Sequence, residues 1–145
     1  MIKRNRSAAM LFVLLFLQAI LAKAGAQSNY ELNYTIGLDT AGHYLNVKLD
    51  YAASTADSPE LVLNMPVWAP GYYEILNFPK HLCDFAVSDV QGQPLTWRKE
   101  GMNRWRISLP ANRRATISYR VYANQRDVAL SRVERDVAFI APAGV

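Results

Sequence analysis

The sequence predicts an all-β fold, an antiparallel β-sandwich of about seven to nine strands preceded by a signal peptide. Three observations carry this expectation. From Tyr30 onward apolar residues recur at every second position, the spacing of a half-buried strand. Turn-forming residues punctuate the chain roughly every eight to twelve positions. The nearest approach to a helical period, Glu74 to Leu82, is interrupted by Pro79.

The elements follow in order. Met1 to Arg6 is basic, Ala8 to Ala22 is an apolar run broken only by Gln18, and Ala24-Gly25-Ala26 supplies the small residues of a cleavage site before Gln27. Residues 1–26 therefore read as a signal peptide and 27–145 as one β domain. About 15 apolar residues fall short of the roughly 20 needed to span a bilayer, so no stable membrane span is expected after cleavage. The product is expected to be exported, to a periplasm or outside the cell. Tyr30 to Leu38 alternates Tyr30, Leu32, Tyr34, Ile36 and Leu38 against polar residues, and Asp39-Thr40-Ala41-Gly42 turns the chain. His43 to Tyr51 repeats the pattern with Leu45, Val47, Leu49 and Tyr51 inward, which makes a hairpin with the first strand. Glu60 to Met65, Phe85 to Val87, Pro94 to Lys99 and Arg104 to Leu109 are shorter strands. Thr116 to Ala123 is the most regular, and its position is expected to be central with both faces used.

Composition narrows function. The chain is 51% hydrophobic and 19% charged, which is that of a folding domain. Of its 16 bases, Lys3, Arg4, Arg6 and Lys23 lie before residue 27, where there are no acids, leaving 12 bases against 12 acids. A neutral domain lacks the clustered positive charge that nucleic-acid binding requires, so no such partner is expected. Cys83 is the only cysteine, so no intrachain disulfide is available, and its apolar surroundings predict burial.

Catalytic groups are sparse. His43 and His81 are the only histidines, and neither begins the spacing in which two His four apart on a helix share zinc. His81, Cys83 and Asp84 form a weak candidate trio for a metal, and His43 reads as a solvated residue beside a turn. No serine sits in a Gly-x-Ser-x-Gly elbow, and the glycines form no phosphate-binding loop. Glu134/Asp136 and Asp84/Asp89 read as solvated or turn-forming acids. No catalytic or metal-ligating residue is assigned.

The densest local sequence is Met65-Pro66-Val67-Trp68-Ala69-Pro70-Gly71-Tyr72-Tyr73. Pro70-Gly71 has the fixed φ and the positive φ of a type II turn. The surrounding aromatics are expected to fill the core, with a docking surface as the second reading.

That stretch, continued through Ile75, Phe78, Lys80 and Phe85, resembles the N-terminal β domain of the glycyl aminopeptidase family of zinc metallopeptidases. Trp97 with Trp105, Tyr119 to Asn124, and Ala138 to Val145 add to the resemblance in the same order. The resemblance implies that a thermolysin-like catalytic domain with its own zinc would follow residue 145, often with a PDZ domain behind it. It implies no zinc ligand or catalytic base in this chain, and no cofactor of its own. The family's more usual Pro-Gly-Ser-Tyr corner is Pro70-Gly71-Tyr72-Tyr73 here, and its Arg-Asp pair is Leu76-Asn77.

The expected role is that of a non-catalytic domain packing on and covering the catalytic domain of an exported aminopeptidase-like protein whose substrates are peptides. Trp68, Pro70, Gly71, Tyr72 and Tyr73 of the aromatic corner, with Phe139 and Val145 of the apolar terminal segment Arg132 to Val145, are the candidate docking residues. The alternative is a stand-alone exported sandwich that binds a peptide or protein partner.

Overall fold

The computed structural model describes residues 30–55 and 57–145, so the predicted signal peptide lies outside the described residues. The strands are β1 (Tyr30–Asp39), β2 (Tyr44–Ala53), β3 (Glu60–Asn64), β4 (Leu82–Ser88), β5 (Trp97–Glu100), β6 (Arg104–Ser108), β7 (Arg114–Tyr122), β8 (Arg132–Val133) and β9 (Ala138–Phe139). Glu74 to Leu82 contains only a single 3-10 turn, Phe78–His81, with Pro79 as its second residue.

Two antiparallel sheets make the sandwich. One has the order β1-β2-β7-β4 and the other β3-β6-β5, while β8 and β9 pair separately. Directly opposed residues in an antiparallel pair share a face. The register Leu45↔Val121, Val47↔Tyr119 and Leu49↔Ile117 therefore lines one inner face with apolar side chains. From the other sheet Trp105 and Ile107 meet them, and all of these are buried. The outer face of β7 is polar: Thr116 donates to Asp50 at 2.6 Å, and Arg120 lies 3.8 Å from the Tyr44 ring centroid. The strand is central, as expected, but only one of its faces is apolar core.

The sheets differ in width, and this corrects the reading of β1. Phe85 of β4 stacks on Trp105 of β6 at 5.3 Å and meets Trp97 of β5 edge-on at 4.7 Å, so β5 and β6 lie over the β4 side. From Phe85 and Trp105 a slot runs toward β1, lined by Leu63 of β3, Leu49 of β2 and Tyr34 of β1. Four strands against three leave β1 without a facing strand. Of its inner residues, Ile36 still packs partly against the core, but Tyr30, Leu32, Tyr34 and Leu38 are 42–56% exposed, although Leu45 and Leu49, the register partners of Leu38 and Tyr34, are no more than 1% exposed.

A bulge in β4 reassigns its faces. Cys83 opposes Arg120 and Ala86 opposes Ser118, so one extra residue lies between them. Asp84 absorbs it with φ 54, a left-handed conformation that Asp tolerates. Phe85 and Val87 then face the core, while Cys83 opposes Arg120 on the outer face and is only half-buried. The expected burial of Cys83 fails because strict alternation does not survive the bulge.

The last segment folds back on the sandwich. Val133 donates to Ala123 O at 2.7 Å, His43 Nδ1 donates to Val133 O at 2.6 Å, and Ala141 donates to Ser131 Oγ at 3.0 Å. His43 is thus partly buried and bonded rather than solvated. At Gly144 the backbone passes so close to Phe78 that an added Cβ would lie 2.9 Å from the ring.

Candidate functional site

The corner after β3 is held by backbone hydrogen bonds. Met65 N donates to Asn103 O at 3.0 Å, and Asn103 Nδ2 donates to Met65 O at 2.9 Å. Val67 O accepts the amides of Leu76 at 2.8 Å and Asn77 at 3.1 Å, which closes the loop on itself. Within it Tyr72 N donates to Ala69 O at 3.1 Å, and Gly71 has φ 84. These are the marks of the type II turn that Pro70-Gly71 predicts.

The turn divides its aromatics between core and solvent. Ala69 and Tyr72 pack against the core. The Tyr72 hydroxyl donates to Asp127 Oδ2 at 3.1 Å, and that carboxylate holds the phenol's pKa above its ordinary value. Trp68 is exposed and Tyr73 wholly so, with Ile75 exposed beside them. The expectation that these aromatics fill the core is therefore overturned for Trp68 and Tyr73, which the turn directs into solvent.

Asp127 ties the corner to a shallow apolar groove lined by Gln125, Val128, Arg132, Val137 and Phe139. Phe139, Val128 and Val137 are exposed there. Val145 is placed differently. It is half-buried in the slot between the sheets, beside Tyr34, Leu63 and Tyr119. The candidate docking residues thus divide into the corner with its groove and the slot. The exposed inner face of β1 escaped sequence reasoning as a third element. Its apolar strip was visible, but alternation alone does not tell a covered face from an uncovered one.

The weak metal trio does not assemble. Cys83 Sγ bonds to Asp84 at 3.8 Å, and Asp84 pairs with Arg120 at 3.2 Å. His81 sits in the 3-10 turn with a buried, unpartnered Nε2, and burial lowers its pKa. Among the described residues no group of three or more His, Cys, Asp or Glu is placed to hold a metal ion. The acids are engaged elsewhere: Glu134 accepts from Arg132 at 2.6 Å, and Asp89 caps its own turn through the amides of Gln91 and Gln93. On the outer face of the smaller sheet, Arg106 and Arg98 hydrogen-bond Glu100 and hold its carboxyl down to about 2. These are structural ion pairs on an open face. No helix among the described residues is long and apolar enough to cross a membrane.

Residues 33–145 match the family model of the Peptidase M61 N-terminal domain. The chain belongs to that family. The M61 N-terminal domain match begins within β1 and takes in every later strand, so the two sheets, the corner and the slot all lie inside it. A similar solved structure is the crystal structure of an aminopeptidase N family protein from Idiomarina loihiensis. It has 27% sequence identity and a TM-score of 0.61, over 72% of this chain and 17% of that one. The chain thus spans about a sixth of the length of that solved protein. A search of curated proteins finds no match.

Proposed function

We propose that this M61 N-terminal domain is the non-catalytic β domain of an exported, zinc-dependent glycyl aminopeptidase-like protein, packing on and covering its catalytic domain. The family match across the whole sandwich carries the reading. One feature of the surface supports it. Its exposed apolar side chains, Trp68, Tyr73, Ile75 and Phe139, cluster at the corner and its groove, in the manner of a surface that meets another domain.

Zinc belongs to the partner domain in this reading, where a metal-bound water would attack the first peptide bond of the substrate. The basic and apolar character of residues 1–22 supports export by the general secretory route. The experiment is to read the coding sequence onward from the codon for Val145. An open frame giving His-Glu-x-x-His with a downstream Glu is the expected result. A verified stop codon at that point would refute the reading. It would favour the stand-alone binding module, for which the exposed corner would then be the peptide or protein site.

A further inference from the structure

The open side of the sandwich is a second surface, separate from the corner, with the form of a shelf. Its floor is the inner face of β1, where Tyr30, Leu32, Tyr34 and Leu38 are about half exposed and Ile36 between them is partly buried against the core. Its wall is β3, which pairs with β6 on one side and has no strand neighbour on the other. An unpaired strand edge beside an apolar floor offers backbone donors and acceptors together with a hydrophobic seat, the two requirements of strand addition.

Between floor and wall opens the slot, a cavity of about 70 Å³ lined by Tyr34, Leu49, Leu63, Phe85, Tyr119 and Val145 among others. Tyr119, 7% exposed, lies among these lining residues. The walls are mostly apolar, so the slot is suited to a small apolar side chain. At roughly 30 Å³ per water, the space admits one small side chain or about two waters. Val145 also lines this slot, so in any longer polypeptide the chain emerges on the shelf and not at a distance from it.

We propose that the shelf seats the partner domain, through an extended segment that lies beside β3, sets apolar residues at alternate positions onto β1, and sends one side chain into the slot toward Tyr119. This rests on the N-terminal-domain reading above and adds where the partner sits and what its contacting segment is like. The strip on β1 is uncharged, which fits an apolar strand and gives a basic or acidic peptide nothing to pair with.

The test compares amide hydrogen exchange in the 145-residue chain and in the longer polypeptide encoded through Val145. Exchange at residues 30–39 and at the free-edge amides of β3 should slow at least tenfold in the longer protein. The double variant Leu32→Lys, Leu38→Lys should lower the melting of the 145-residue chain modestly and leave it folded, because both residues are already half exposed there and the lysine stems keep part of the apolar contact. In the longer protein it should abolish the protection. Equal exchange in both forms of an active longer protein would overturn the seat while leaving the domain reading intact. Sedimentation of the 145-residue chain as a dimer that protects residues 30–39 would also overturn it, since the occupant would then be a second copy. A frame that closes at Val145 would overturn the domain reading and the seat together.

Discussion

Leu38→Ala and Leu49→Ala test whether β1 lacks a facing strand, because both residues lie on the same face of one hairpin. Leu49 is fully buried beneath the second sheet, and its loss removes about three methylene equivalents at ~0.8 kcal/mol each, about 2.4 kcal/mol of transfer free energy. The cavity left in a close-packed interior raises this to about 3–4 kcal/mol. Leu38 is half exposed, so about half of the transfer term applies and no closed cavity forms, for about 1 kcal/mol. Urea unfolding followed by tryptophan emission suits the measurement, since Trp105 reports the core. Leu49→Ala should lower the midpoint by roughly three times as much as Leu38→Ala, with the slope unchanged. Equal losses would mean that β1 is covered and that the unequal sheet widths do not describe the domain in solution.

Three further outcomes follow from local geometry. Gly144→Ala brings a methyl to 2.9 Å from the Phe78 ring, so it should cost about 1–3 kcal/mol and loosen the last segment, seen as faster amide exchange over residues 130–145. At the bulge, Asp84→Gly should be tolerated and Asp84→Val should cost at least about 1 kcal/mol, because φ 54 is strained for a β-branched residue; thermal melts of the two variants distinguish them. The Glu100 carboxyl should titrate near 2 by NMR and return toward 4.5 in Arg106→Ala. Its folded value lies below its unfolded one, so whatever stability it contributes is present above about 4.5 and lost as pH falls toward 2.

Most of the architecture is legible in the sequence, for a physical reason. Alternation in Leu45, Val47, Leu49 and in Ile117, Tyr119, Val121 fixes strand faces wherever the chain is regular, and Pro70-Gly71 fixes its turn through backbone sterics. Two features escape that logic. Asp84 shifts the face of everything before it in β4, because a bulge inserts one residue without any apolar signal; Cys83 therefore ends beside Arg120. The exposure of Tyr30, Leu32, Tyr34 and Leu38 depends on how many strands the opposite sheet has, a property that no single strand encodes. The candidate site shows the same division. Trp68 and Tyr73 are conspicuous in sequence, but only the fold shows that they point outward while Val145 lies in the slot with Tyr119.

The most direct test of the central claim is to assay aminopeptidase activity and bound zinc in the purified 145-residue chain and in the longer polypeptide side by side. The account predicts neither activity nor stoichiometric zinc in the chain, and both in the longer protein. Zinc-dependent release of N-terminal residues by the 145-residue chain itself would contradict it.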